Sequence, residues 1–327
     1  MVKGLAAVVL ASSLAAGGHQ GSGEWQKIVE GAKREGSIVL YSALVGAPST
    51  DRIAKAFETR YGIPVETLEA RASELMERVR TEQASGRALG DVSYNGATAT
   101  ERQMLDGVFV PHGPLPGTSR LTAPFTGDGT RVPAFVIHFG ILVNTELLKA
   151  SDRPRAWKDL LDPKWKGQIL ADDVHPVGSG SLFFQATCEK LGRAFHDKLA
   201  AQDPSFTRDP RGSQRRVARG EYPIFIPSSF AAGKELDGLP LETVVPEEGV
   251  VYVVYQAAVF KSAPHPNAAR LFMDFLLSDE VQRIYASDGY GPVVEAVQPK
   301  TSRLPLLGTS SLATMAEMAT LAREIYK

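Results

Sequence analysis

Apolar residues in this chain alternate between short continuous runs and helically spaced stripes. Ile38-Val39-Leu40-Tyr41 is a β-favouring run, and the next segment carries Ile53, Phe57 and Tyr61 on one helical face before Gly62 stops it. Pro64-Val65-Glu66-Thr67-Leu68 reads as a second strand, with Leu75 and Val79 on the helix behind it. Asp91-Val92-Ser93-Tyr94 reads as a third, with a helix over about 98–105. Strands alternating with helices predict a parallel sheet with right-handed crossovers. A Pro/Gly/Thr-rich stretch, 111–129, interrupts the pattern, and a long β-rich run, 132–144, follows it. A further strand–helix series fills about 145–250, including 168–172, 182–191 and Pro223-Ile224-Phe225-Ile226. A second long β-rich run, 250–260, precedes more helices, the last carrying Met315, Met318, Leu321 and Ile325 at helical spacing.

Two long strands bracketing a complete α/β unit predict one lobe inserted into another, although the pattern alone leaves two sequential α/β domains open. The inserted reading divides the chain into a first lobe, 24–138 and 259–327, and a second lobe, 139–258. The fold class expected is α/β.

Composition narrows the class of protein. The chain has 327 residues, 43% apolar and 22% charged, which is enough to bury a sizeable core. A formal net charge of −1 gives no reason to expect nucleic acid or an anionic membrane as partner. Lys3, the small apolar stretch from Leu5 to Leu14 and the sequence Ser13-Leu14-Ala15 read as a secretory signal peptide, 1–18, cleaved near Ala16 to Gln20. No cysteine follows that would take a lipid. Cys188 is the single cysteine, so no internal disulfide can form, and its apolar setting reads as packing.

Two stretches carry a resemblance. Asp159-Leu160-Leu161 leads into Asp162-Pro163-Lys164-Trp165-Lys166-Gly167, physically a Pro-marked stop, a Trp anchor and a Gly releasing the chain into a strand. Ala263-Pro264-His265-Pro266-Asn267-Ala268-Ala269 is followed by Phe272-Met273-Asp274-Phe275-Leu276-Leu277-Ser278. Both resemble the substrate-binding proteins of bacterial ABC transporters, in the iron-type or family 1 solute-binding group. The resemblance runs from about Trp25 to Val297. It implies the two-lobed type II periplasmic binding fold with two crossover strands and an interlobe cleft. It further implies a periplasmic, monomeric receptor with no cofactor, which passes a small solute to an inner-membrane permease.

In open α/β sheets ligands gather outside the carboxyl ends of the strands. That rule selects Ser42 and Ala43, Tyr94 and Asn95, the loop Gly178, Ser179, Gly180 and Ser181, and Ser228, Ser229 and Phe230; Ser73, beside Arg71, joins them. Hydroxyls and small residues at helix starts suit a carboxylate, phosphonate or phosphate, because the first backbone N–H groups there lack partners. N-capping accounts for most such hydroxyls, including those of Pro48-Ser49-Thr50, but the small-residue density at 178–181 exceeds what a cap needs. Arg71, Arg131 and Arg215 are candidate counter-charges for an anion, and Glu247-Glu248 for an amine.

The ferric-binding members that this chain resembles carry two adjacent tyrosines after a second-lobe strand. Aligning Arg219-Gly220-Glu221-Tyr222 puts Ser228, Ser229 and Phe230 there, and neutral hydroxyls cannot replace phenolates on a hard metal ion. No metal ligand set is therefore expected. A ferric site built from Tyr41, Tyr94, Tyr252, Tyr255 or Asp172-Asp173-Val174-His175 is the alternative to an anionic or zwitterionic organic solute. An enzyme on the same architecture is the remaining rival, and the chain has no nucleophile elbow, P-loop or paired-cysteine motif to support catalytic residues.

Overall fold

The computed structural model describes residues 23–297 and 303–327, so the expected signal peptide lies outside the described residues. The first lobe opens with α1 (Gly23–Glu35), β1 (Ile38–Ser42), α2 (Pro48–Tyr61), β2 (Val65–Glu69), α3 (Ala72–Ser85), β3 (Val92–Gly96) and α4 (Ala97–Leu105). Beyond the irregular stretch comes the long strand β4 (Arg131–Asn144). The second lobe contains β5 (Ile169–Asp172), α5 (Ser179–Leu191), α6 (Arg193–Ala200), β6 (Ser205–Thr207), α7 (Pro210–Ala218), β7 (Ile224–Ser229), α8 (Phe230–Lys234) and β8 (Leu241–Val244). The chain then returns through β9 (Val250–Val259) to α9 (Pro266–Leu276), α10 (Asp279–Ser287) and β10 (Gly291–Pro292), and ends in β11 (Leu306–Gly308) and α11 (Met315–Ile325).

The sheet runs β2-β1-β3-β9-β4-β7-β5-β6. β1, β2 and β3 are parallel, as are β5, β6 and β7, which the short crossover helices between them require. β4 and β9 pair antiparallel from Arg131 opposite Ala258 to Phe139 opposite Val251, and these two strands carry the chain between lobes. β3 borders β9 on one side and β7 borders β4 on the other, so each lobe is stitched to its own part of the crossing pair.

Each end of that pair packs into a different core. Ala134, Phe135, Val136 and Ala257 join Leu40, Phe57, Val92, Phe272 and Phe275, whereas Phe139, Ile141, Val143 and Val251 join Trp157, Trp165, Ile169, Phe183 and Ile224. The Trp-bearing motif of the sequence sits in the second core. Asp162 accepts from Lys164 N (3.0 Å), the Trp165 indole donates to Asp159 O (2.9 Å), and Gly167 turns at φ +68° into β5. Trp157 is fully buried and its indole N–H still reaches Gly249 O at 2.9 Å, so the ring is buried without leaving a polar atom unpaired.

The carboxy-terminal segment departs from the expected division, which gave everything from 259 onward to the first lobe. Arg303 is anchored in the first lobe, donating to Thr122 Oγ1 (2.6 Å) and Ala123 O (3.2 Å), but β11 then runs beside β9 at Val250 and Val251. α11 lies on the second lobe, where Ala322 and Tyr326 are buried with Val174 and Phe184, and Cys188 is partly buried beside them. The apolar stripe of α11 needs cover, and α5 and α6 supply it. Tyr326 and Thr187 both bond the ring of His196 (2.8 Å each), a histidine whose pKa burial pushes down to about 3.

Candidate functional site

The carboxyl ends of β1 and β3 in the first lobe and of β5 and β7 in the second turn towards each other. Contacts among the described residues link the lobes around these ends. Arg211, in the first turn of α7, reaches Gly46 O in the loop after β1 (3.5 Å). Gly289, just after α10, lies so near α8 that an added Cβ would be 3.0 Å from Ala231 Cα. Thr98, in the first turn of α4, meets Ser310 (3.0 Å).

Between the first two contacts is a cavity of about 250 Å³, lined by Pro48, Ser287, Asp288 and Tyr290 from one lobe and Ala231, Lys234, Glu235 and Asp237 from the other. Its charge is mixed. Lys234 and the nearby Arg211 are cationic; Glu235, Asp237 and Asp288 are acidic, with Arg211 3.3 Å from Glu235 and Arg52 2.9 Å from Asp288. Burial raises the pKa of Tyr290, so its phenol stays protonated and can donate.

Pro48 begins α2; its N-cap residue, Ala47, makes no side-chain cap, but the Ala47 carbonyl accepts from Thr50 N (3.0 Å). In that turn Ser49 and Thr50 are almost wholly buried, and Thr50 Oγ1 finds no hydrogen-bond partner among the described residues. At the end of β3, Asn95 uses its carbonyl for Gly96 N (2.9 Å), while its buried Nδ2 has no acceptor among the described residues. Buried polar groups are nearly always paired, so each of these two is expected to meet water or another polar atom.

The other residues selected from the sequence are occupied within the protein. Ser42 accepts from Leu44 N (3.2 Å), and Ala43 N donates to Tyr94 O (3.0 Å), tying the ends of β1 and β3 together. Ser73 is exposed in the first turn of α3, where Arg71 is the N-cap and Glu74 reaches back to Arg71 N (3.2 Å). The Tyr94 ring is buried in the first core, its hydroxyl 2.5 Å from that of Tyr285, and burial raises its pKa. Ser228 takes a bond from Gln214 (3.0 Å) and Ser229 caps the short α8. Phe230 packs over Gly140 of the crossing strand.

The loop after β5 is the most changed by the geometry. Asp172, nearly buried at the end of β5, accepts from Ser179 Oγ (2.5 Å) and Gly180 N (2.8 Å). Ser181 and Gly178 satisfy each other, Gly178 N donating to Ser181 Oγ (3.0 Å) and Ser181 Oγ to Gly178 O (3.1 Å). The outer side of the loop faces Met315 and Met318 of α11 and Thr98 across a space of about 70 Å³. The donors seen in the sequence are real, but Asp172 takes them.

The tyrosines considered for iron are dispersed. Tyr41 bonds Glu82 and Arg78, and burial, reinforced by Glu82, pushes its pKa up to about 12. Tyr255 stacks on Phe135 at 4.9 Å and Tyr252 packs edge-on to Phe125. His175 is held between Asp173 (2.7 Å) and Tyr326 O (3.1 Å). Among the described residues no group of three or more His, Cys, Asp and Glu side chains could hold a metal ion. Of the proposed counter-charges, Arg131 is paired with Asp128 (2.8 Å), and Glu248 accepts from Trp157 N (2.9 Å). Sequence reasoning passed over Arg211, Lys234 and Tyr290, which meet only through the tertiary fold, and set Thr50 aside as a cap.

This fold and interlobe cavity define a two-lobed solute-binding protein. Comparison with known proteins gives the family. Residues 98–310 match the family model described as bacterial extracellular solute-binding protein, and the chain belongs to that family. It is similar to iron uptake protein A1 of Synechocystis sp., 26% identical over 287 residues, covering 80% of this chain and 76% of that protein. Its fold is similar to that of the substrate-binding protein of an ABC transporter from Agrobacterium tumefaciens (TM-score 0.76, 16% identity, 89% and 94% of the two chains). It is also similar to that of AfuA from Actinobacillus pleuropneumoniae with fructose-6-phosphate bound (TM-score 0.65, 22% identity, 89% and 96%).

Proposed function

We propose that this protein is the periplasmic receptor of an ABC importer, and that it captures a small anionic or zwitterionic organic solute by closing its lobes. The observation that supports this reading is the interlobe cavity between Pro48 and Lys234, with Lys234 in its lining and Arg211 nearby, together with the partnerless Thr50 hydroxyl in the turn that Pro48 opens. A carboxylate, phosphonate or phosphate would meet the start of α2, where the helix dipole favours negative charge and the Thr50 hydroxyl has no partner among the described residues. Lys234 and Arg211 would close over it, and Asp288 or Glu235 would receive an ammonium group if the solute carries one. β4 and β9 are the hinge, bending where they pass from one core to the other. We take the first lobe as 24–138 with 259–297 and the second as 139–258 with the carboxy-terminal segment. Delivery to a permease is supported by the likeness of the fold to a substrate-binding protein of an ABC transporter. No turnover is expected.

A thermal-shift screen of the mature protein with carboxylates, phosphonates, sugar phosphates, amines and ferric salts tests this reading. A ligand that binds only the folded state raises the melting temperature by mass action. An organic anion or zwitterion giving a saturable shift supports it. A shift with ferric ion alone, accompanied by a phenolate-to-iron colour, replaces it with the ferric alternative. Conversion of the best ligand, followed by NMR at stoichiometric protein, would make the protein an enzyme. Mass spectrometry of the exported chain tests cleavage near Ala16 to Gln20, and light scattering tests the monomer.

A further inference from the structure

Ser37, His265 and Asp91 form a hydrogen-bonded chain at the amino ends of the parallel strands β1 and β3, on the far side of the first lobe from the cleft. Asp91 is fully buried. Its Oδ2 accepts from Val39 N (2.7 Å) and its Oδ1 from His265 N (2.7 Å), which clamps β1 to the start of α9. Oδ2 also meets His265 Nδ1 at 2.9 Å. A carboxylate only accepts, so Nδ1 carries the imidazole proton and Nε2 keeps its lone pair. That nitrogen lies 3.3 Å from Ser37 Oγ, the loose spacing that nucleophile and base show before an electrophile binds. The clamp itself needs neither Ser37 nor Nε2. Ser37 is half-buried and the His265 side chain is 25% exposed, so both can be approached from solvent. The Ser37 N–H makes no hydrogen bond among the described residues, which leaves a donor beside the hydroxyl for negative charge developing on the group it attacks.

We propose that Ser37 is an activated nucleophile and a site of covalent modification, with His265 as its base and Asp91 orienting that base. The electrophile is a small activated acyl ester. As Oγ attacks the ester carbonyl carbon, its proton passes to Nε2. The Oγ–C bond forms, the ester C–O bond breaks, and the alcohol or phenol leaves with the proton that Nε2 held. The products are an acyl group on Ser37 and a neutral imidazole. Because Ser37 and His265 are only partly open, a short acyl group is favoured. The site is separate from the interlobe cavity and does not rest on the receptor reading.

A short-chain alkyl fluorophosphonate tests this, since attack of Oγ on phosphorus expels fluoride and leaves a stable adduct whose position mass spectrometry reads. The folded chain is expected to take its label on Ser37, at least about tenfold faster than the same chain unfolded in urea. p-Nitrophenyl acetate is expected to acetylate the same residue with a burst of nitrophenol. Ser37→Ala is expected to lose both reactions at an unchanged melting temperature. His265→Gln is expected to melt lower, having lost its bond to Asp91, and to be labelled at least about tenfold more slowly than wild type. A hydrogen-bonded chain that serves only the clamp would leave Ser37 no more reactive in the folded protein than in urea, and that result overturns the proposal. So does a label that settles on another serine, or a wild-type rate in His265→Gln. If His265→Gln does not fold, the comparison of folded with unfolded wild type decides the matter. Ser37→Ala is expected to respond to the organic panel as wild type does, so failure of the receptor reading leaves this test standing.

Discussion

The turns after β1 and after β5 occupy comparable places, each at the carboxyl end of a parallel strand and each opening a helix with small hydroxyl residues. After β1, Ala47 precedes α2 and offers it no side-chain cap, and Thr50 Oγ1 is buried without a partner. After β5, Asp172 fills the start of α5, and Ser179, Gly180 and Ser181 are all bonded internally. One helix start keeps a buried hydroxyl without a partner among the described residues, and the other is completed by a carboxylate from the preceding strand. Small-residue density in a sequence therefore does not distinguish a docking place from a closed turn, because the deciding group is supplied from the preceding strand.

The strongest way to break this comparison is Gly180→Ala, which forces a methyl onto the end of β5. It is expected to destabilise by about 3 kcal/mol, read from denaturant midpoints, whereas an unstressed site would barely respond. Asp172→Ala is expected to lower stability by about 2 kcal/mol, since it leaves buried donors without their charged acceptor. Tyr94→Phe should lose about 1 kcal/mol by stranding the Tyr285 hydroxyl, with solute affinity unchanged; lost affinity would return Tyr94 to the site. Thr50→Ala sharpens the contrast from the other side. Its stability is expected within about 0.5–1 kcal/mol of wild type, while calorimetry shows solute affinity falling severalfold or more.

The pH dependence is the subtlest of these outcomes. Burial raises the Asp172 pKa, only partly offset by its bonds from Ser179 and Gly180. The folded value lies above the unfolded one, so the folded state takes up its proton first. The ionised group weakens the fold at neutral pH, and that penalty is relieved as pH falls through the raised value. Asp172→Asn lacks this step, so wild type is expected to gain stability relative to the variant on mild acidification. Asp173 has the opposite sign: burial opposes its ionisation, but bonds from His175 and Arg208 outweigh it and hold the value low. Its contribution is lost only at more acid pH. Paired melting curves of wild type and Asp172→Asn isolate the first effect, and a constant difference would contradict it.

Much of the fold was legible because local signals agree with the final packing. The runs 38–41, 64–68 and 91–94 became β1, β2 and β3, and Gly62 ends α2 in the left-handed conformation (φ +72°) its position requires. Asp162-Pro163-Lys164-Trp165-Lys166-Gly167 has a meaning independent of any relative, since Trp165 and Trp157 lock the entry to β5 into the second core. The site was less legible. Period-2 and period-3.6 patterns say which face of an element is buried, not what shares that face. Tyr94 and Ser228 have the chemistry of ligand contacts but are bonded to Tyr285 and Gln214, each supplied by a distant part of the chain. Arg211, Lys234 and Tyr290 read as ordinary surface residues until α8 and the turn after α10 bring Lys234 and Tyr290 to one cavity, with Arg211 of α7 nearby.

The path from Arg303 to α11 has a consequence for how the molecule is made. Val174, Phe184 and His196 of the second lobe are covered by Ala322 and Tyr326, which the chain reaches only after both lobes. A chain that emerges amino-terminus first therefore has both lobes in hand before that surface is sealed. During that interval it exposes an apolar patch to proteases and to other nascent chains. A chain lacking α11 would retain the cavity yet leave that surface open, so its resistance to proteolysis is expected to depend on α11.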